Sequence, residues 1–111
     1  MKKILIIGYS SLVKRRIIPT LTRNNIPYDI ASRSKNQKDF NTENWYHGYR
    51  KALNNSDADI AYISLPNSLH YMWSLESLNK GFHTLVDKPA TINLIQLKKL
   101  IKTAKKRKKI F

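Results

Sequence analysis

The sequence predicts a three-layer α/β protein, a parallel sheet with helices on both faces. Two observations carry this. Short apolar runs alternate with amphipathic segments along the whole chain, and each connection between runs is long enough only for a helical return, which makes neighbouring strands parallel. With 111 residues and no cysteine, the chain has material for one modest core in one domain, and disulfides, thiolate metal sites and cysteine nucleophiles are excluded.

The first strand is Ile4-Leu5-Ile6-Ile7, a continuous apolar run suited to burial on both faces, and Gly8 ends it. A helix is expected over 12–25, with Leu12, Val13, Ile17, Ile18 and Leu21 as its apolar stripe. Pro19 lies inside that stretch and predicts a bend. Residues 28–32 form a second strand, and 33–43 is polar and without period, hence loop. A short edge strand is expected at 45–49, followed by a helical segment over 50–54 that the polar run from Asn54 to Asp57 stops. A further strand is expected at 59–65, broken by Pro66-Asn67. Ser68 is the expected cap of a helix over 69–80, which Gly81 stops. A fifth strand follows at 82–86, then a break at Asp87-Lys88-Pro89, then a last helix over 92–107 with Thr91 as its expected cap. Ile110 and Phe111 read as the start of a sixth strand. The chain is therefore expected to be a truncated domain with an open sheet edge, which strand pairing with a second copy would cover.

The formal net charge is +14, and eight of the 21 basic residues fall between Lys98 and Lys109. Such a run attracts anionic partners in general. Without a nucleic-acid recognition motif it reads as the solvated face of a terminal helix, and nucleic acid is not an expected partner. No apolar run approaches the ~20 residues of a membrane span, and the opening Met1-Lys2-Lys3 leads into only four apolar residues. A soluble cytoplasmic protein is expected. His47 and His83 lack partners at metal-ligand spacing, so no metal site is predicted, and both are read as packing residues. Trp45 and Trp73 are read the same way.

Two turns point to chemistry. Gly8-Tyr9-Ser10-Ser11-Leu12-Val13 joins the first strand to the first helix, the place where a dinucleotide fold turns backbone N–H groups toward a pyrophosphate. Only the first glycine of the usual fingerprint is present, with Ser10 and Val13 at the other two positions, so an ordinary tight turn remains an equal reading of this element by itself. The second strand ends Ser32-Arg33-Ser34-Lys35, where an enzyme selecting NAD carries an acid for the ribose 2′-hydroxyl. A hydroxyl and cations there suit a 2′-phosphate, so Ser32, Arg33 and Lys35 predict NADP first and NAD second.

The segments Leu65-Pro66-Asn67-Ser68-Leu69-His70 and Asp87-Lys88-Pro89 together resemble the signature spacing of the glucose-fructose oxidoreductase and inositol dehydrogenase family, Gfo/Idh/MocA, over nearly the whole chain. The resemblance implies a Rossmann domain binding NAD or NADP, with Leu65, Pro66, Asn67 and His70 lining the cofactor cleft. It implies that Lys88 lies near the nicotinamide and substrate as the catalytic cation, with Asp87 among the cofactor-binding residues. An ammonium held there stabilises developing alkoxide charge. In that family the acid-base and sugar-binding groups lie in a second domain, absent here, so the expectation is a substrate domain supplied by the same gene or by a partner chain. Two function classes stay open: the nucleotide-binding part of a sugar, polyol or nucleotide-sugar oxidoreductase, and a non-catalytic nucleotide-binding or interaction module with a basic C-terminal helix.

Overall fold

The computed structural model describes residues 3–34, 36–37, 41–86 and 94–110, with Asn67 described by its backbone. Five strands, β1 (Ile4–Ile7), β2 (Tyr28–Ser32), β3 (Asn44–His47), β4 (Ile60–Ile63) and β5 (His83–Val86), form one sheet in the order β3-β2-β1-β4-β5. Every pair is parallel, with Ile4 beside both Tyr28 and Ile60. The strand with the longest aliphatic run is thus central, flanked by β2 and β4. Its Leu5, Ile6 and Ile7 are fully buried because both faces of a central parallel strand are covered.

Alternation along β1 splits the core in two. Leu5 and Ile7 face a cluster with Ala31, Ala61 and Ile63, closed by Ala52, Leu53 and Trp73. These come from α2 (Tyr49–Asn55) and α3 (His70–Asn79). Ile6 faces Ile30, Tyr28, Val13, Ile18 and Leu21 on the opposite side. A third small cluster, Leu78 with Leu100 and Ala104, docks α4 (Leu94–Arg107) on α3.

The predicted first helix is present, but Pro19 acts one turn earlier than a simple bend at the proline. Val13–Ile17 is a π-helical turn that passes directly into α1 (Ile18–Arg23), the Ile18 N–H reaching the Val13 carbonyl. A proline ring crowds the carbonyl four residues before it and offers that carbonyl no donor, and a wider turn makes room. The Thr20 hydroxyl donates to the Arg16 carbonyl at 2.8 Å, satisfying one acceptor in that turn. The run ends with Asn25 at φ 56° and the Ile26 N–H returning to the Leu21 carbonyl.

Ser68 is not a helix cap. It lies inside a 3₁₀ turn, Asn67–Leu69, which the Leu69 N–H closes onto the Pro66 carbonyl, and α3 starts without a side-chain cap. The expected Thr91 cap lies outside the described residues. The Thr84 N–H on the free side of β5 donates to the Ile110 carbonyl at 2.8 Å, and the Ile110 N–H donates to His83 Nδ1 at 3.0 Å. The segment after α4 therefore returns to the edge where a sixth strand would pair. Phe111 lies outside the described residues. On α4, Lys98, Lys99, Lys102, Lys105 and Lys106 are exposed, the solvated face expected of them. Among the described residues no helix is long and apolar enough to cross a membrane, and no group of histidine and acidic side chains is placed to hold a metal.

At the amino edge of the sheet, Lys3 ties three connections together. Its Nζ lies 3.1 Å from Asp29, 2.9 Å from Glu43 and 2.6 Å from Asp57. Asp29 is fully buried and also accepts from Asn44 Nδ2 and Ser56 Oγ. Burial works to lower the Lys3 pKa, but the bonds to Asp57, Glu43 and Asp29 outweigh it and hold the ammonium above its ordinary value. The same contact, through its hydrogen bond first and its charge second, holds the Asp57 carboxyl below its ordinary range.

Candidate functional site

The carboxyl ends of β1, β2 and β4 meet in an open cleft of about 400 Å³, where ligands of open α/β sheets collect. Its floor depends on Gly8. The Gly8 N–H bonds the Ala31 carbonyl at 2.9 Å, its φ is +106°, and a Cβ there would stand 2.1 Å from the Ser64 carbonyl oxygen. Only glycine allows the turn after β1 to lie this close to the chain leaving β4.

Ser10, at the second fingerprint position, uses its hydroxyl locally. Its Oγ accepts the Val13 N–H at 3.2 Å and shares a 2.7 Å hydrogen bond with Ser64 Oγ, while its carbonyl accepts the Lys14 N–H at 3.0 Å. These are the bonds of a helix N-cap. Ser10 therefore starts the helix and couples it to the end of β4.

The end of β2 is shaped by three bonds. The Ser34 N–H reaches Ser32 Oγ at 3.1 Å, the Gly48 N–H reaches the Ser32 carbonyl at 2.8 Å, and the Trp45 indole N–H reaches the Ser34 carbonyl at 3.0 Å. Together they hold Ser32, Arg33 and Ser34 along the cleft wall, with the Arg33 side chain exposed. Tyr9 packs edge-on against Trp45 with ring centroids 5.1 Å apart, and Lys14 Nζ sits 4.8 Å from the Tyr9 ring centroid. Tyr49 packs edge-on against Trp73. Burial raises its hydroxyl pKa, against the opposing charge of Arg33 nearby. Arg33 and Lys14 are the charged groups of the lining, and no carboxylate is among its described residues.

The cleft brings together Gly8, Tyr9, Ser10, Ser32, Arg33, Leu65 and Pro66 of the residues expected from sequence. Ser11 is exposed, with no place in the lining, and Leu12, 41% exposed, lies in a separate depression with Arg15 and Arg16. His70 is 1% exposed and sits beneath the cleft. Its Nε2 donates to the Leu65 carbonyl at 2.7 Å, which makes it a brace for the loop after β4, and its side chain does not line the cleft. Asn67 contributes backbone to the 3₁₀ turn, and Lys35, Asp87 and Lys88 lie outside the described residues. The lining also includes Lys14, Ser34, Trp45, Tyr49 and Ser64, which the sequence did not single out as site residues. Trp45 was legible only as an apolar ring, and its second task appears once β3 is seen paired beside β2.

Residues 2–111 match the model of the Gfo/Idh/MocA family, described as an oxidoreductase family with an NAD-binding Rossmann fold. The chain is 30% identical over 106 residues to a dTDP-3,4-didehydro-2,6-dideoxy-alpha-D-glucose 3-reductase from Streptomyces violaceoruber, covering 90% of this chain and 31% of that protein. Over a shorter stretch of 63 residues it is 32% identical to a D-xylose 1-dehydrogenase (NADP(+)) from Hypocrea jecorina, covering 57% of this chain and 16% of that protein. A crystal structure of a 3-ketoreductase from Actinomadura kijaniata, in complex with TDP-benzene and NADP, superposes with a TM-score of 0.85 at 30% identity, covering 97% of this chain and 36% of that one. The chain thus spans about a third of the length of the relatives it matches over most of its own.

Proposed function

Since the chain belongs to the Gfo/Idh/MocA oxidoreductase family, with its NAD-binding Rossmann fold, we propose that it binds NADP in preference to NAD in the cleft at the carboxyl edge. It serves as the nucleotide-binding part of an oxidoreductase acting on a sugar, a polyol or a nucleotide sugar. The observation that carries the cofactor choice is the end of β2, where Ser32 and Arg33 line the cleft and no carboxylate stands among the described lining residues. An acid there would repel a 2′-phosphate, and a guanidinium forks onto it.

The cleft fits a dinucleotide on its own geometry. The Cβ-free approach of Gly8 to Ser64 leaves the turn after β1 low enough for a pyrophosphate to lie over it. Ser10 commits its hydroxyl to the Val13 N–H, so the turn has one amide fewer for the pyrophosphate than a glycine-rich turn. Affinity then rests more heavily on the 2′-phosphate end, where Arg33 binds the phosphate and stacks on the adenine. Ser32 Oγ, already accepting from Ser34, donates its hydroxyl proton to the same phosphate, with Lys35 as a further cation. Bound NADP supplies the hydride carrier. Lys88, by family resemblance, holds positive charge near the reacting oxygen, with Asp87 beside it. His70 acts through the Leu65 carbonyl, fixing the loop against which the nucleotide rests. The sugar class rests on the reductase and dehydrogenase relatives, and the groups that hold a sugar and move its proton come from a further domain, in the same protein or on a partner chain.

Titration of the purified chain with NADP and NAD, followed by tryptophan fluorescence, tests the reading. A charge-assisted contact to the 2′-phosphate contributes roughly 1.5–3 kcal/mol, about a ten- to hundredfold preference for NADP. Arg33→Ala should bring the two affinities close together. Equal affinities in the parent chain, or an Arg33→Ala chain with its preference intact, would defeat the assignment.

A further inference from the structure

The cleft holds a second cation that the sequence motif does not mark. Lys14 lies one helical turn after Ser10, its N–H bonded to the Ser10 carbonyl at 3.0 Å, and its exposed side chain lines the same cleft as Arg33. Among the described residues no carboxylate lies within salt-bridge distance of it. Its ammonium rests 4.8 Å from the Tyr9 ring centroid instead, an attraction of cation to π-face that positions a charge without neutralising it.

The aromatic support beneath Lys14 leads to the loop that ends β2. Tyr9 meets Trp45 edge-on at 5.1 Å, and the Trp45 indole N–H donates to the Ser34 carbonyl at 3.0 Å. One chain of contacts therefore ties the Lys14 ammonium to the segment that carries Ser32, Arg33 and Ser34. Two cations facing one cleft without an acid repel each other, and a dianion between them relieves that repulsion. A phosphate monoester carries between one and two negative charges at neutral pH, and a lysine binds it as a point charge beside the planar fork of an arginine.

We infer that Lys14 is a second specificity-determining residue, closing on the 2′-phosphate of NADP from the helix side while Arg33 closes from the strand side, with the Tyr9–Trp45 pair as its support. This rests on the dinucleotide reading of the cleft. It differs from a pyrophosphate contact, which NAD and NADP share and which would not discriminate between them.

The probes are NADP, NAD, adenosine 2′,5′-bisphosphate and adenosine 5′-monophosphate, titrated against the whole chain and its Lys14→Ala, Lys14→Arg and Tyr9→Leu variants. Lys14→Ala should weaken NADP and the bisphosphate by roughly five- to tenfold, the lower end of a charge-assisted bond because the group is exposed. NAD and the monophosphate should stay within about twofold. Lys14→Arg should restore most of the loss, and Tyr9→Leu should cost about two- to threefold for the 2′-phosphorylated ligands alone. Equal loss for NADP and NAD would assign Lys14 to the pyrophosphate and overturn the inference, as would no loss at all. If the parent chain binds NADP tenfold better than NAD and Lys14→Ala does not change this, only Lys14 is misassigned. If the parent chain binds neither dinucleotide, the function reading itself fails and the inference with it.

Discussion

Gly8→Ala is the substitution that should damage this protein most for the atoms it adds. Two costs separate cleanly. The first is conformational, since φ is +106° and a residue with a Cβ held in that region costs about 1–3 kcal/mol. The second is steric, because the new Cβ would stand 2.1 Å from the Ser64 carbonyl oxygen and 2.9 Å from Leu65 Cδ2. Relief requires the backbone after β4 to move, which strains the 2.8 Å bond from the Ser64 N–H to the Ile7 carbonyl, a bond with a net contribution of about 1 kcal/mol. The sum is about 2–4 kcal/mol, a large fraction of the ~5–15 kcal/mol that holds a domain folded. At about 4 °C per kcal/mol for a domain of this size, Tm should fall by roughly 8–16 °C. Gly48 is the control, with φ +110° and nothing within 4 Å of an added Cβ. Thermal melts followed by circular dichroism should show Gly48→Ala, which carries the conformational cost alone, losing about 4 °C less than Gly8→Ala. If Gly8→Ala is no less stable than Gly48→Ala, the close approach of β1 and β4 is not what requires glycine.

Three further outcomes follow from the same structure. Lys3→Met leaves the buried Asp29 without its cation and should cost about 2–4 kcal/mol in urea unfolding, with Asp29→Asn in the same chain recovering part of the loss. The pH dependence has two limbs. Asp57 is held below its ordinary value of 3.8, so its contribution is present above that pH and lost as pH falls through the lower folded value. Lys3 is held above its ordinary value of 10.5, so its contribution is intact below that pH and lost as pH rises past it. Urea midpoints should be level between about pH 5 and 9 and fall on both sides, and Lys3→Met should flatten the alkaline limb attributed to Lys3. Finally, the chain alone should bind NADP without oxidising inositol, glucose or a nucleotide sugar. Holding a substrate against the nicotinamide accounts for ~7–11 kcal/mol of a barrier, and one lysine cannot both position a polyol and take its proton. Turnover by the purified chain at rates ordinary for an enzyme would refute this.

The sheet was legible because its signal is local and repeated. Ile4 to Ile7 reads as a strand buried on both faces, and the alternation of strand and helix dictates the parallel order around it. Boundaries were less legible where neighbouring residues compete. Pro19 predicted a distortion, but where the wider turn falls is set by which carbonyls find donors, Val13 and Arg16 among them. Ser68 had the composition of a cap and lost the role to the turn that Pro66 closes. At the site, Gly8, Ser32 and Arg33 announced themselves by their place at strand ends. Trp45 and Ser64 did not, because what qualifies them is the pairing of β3 with β2 and of β4 with β1, contacts between residues distant in sequence, and Lys14 did not because only its place over the Tyr9 ring in the cleft lining marks it. His70 was legible as part of a motif, while its orientation toward the Leu65 carbonyl was not. The Lys3 cluster gave no signal at all, since its three acids are spread from Asp29 to Asp57.

The most direct test of the cleft is a map of amide chemical shifts as NADP is added to the isotopically labelled chain. The largest changes should fall on Gly8 to Ser10, Ser32 to Ser34, and Ser64 and Leu65, the residues that line the carboxyl edge. The amides around Lys3, Asp29 and Asp57 at the opposite edge should stay still. Changes confined to the lysine-rich α4, or no saturable change anywhere, would contradict the account and favour an interaction module that reads charge through its C-terminal helix.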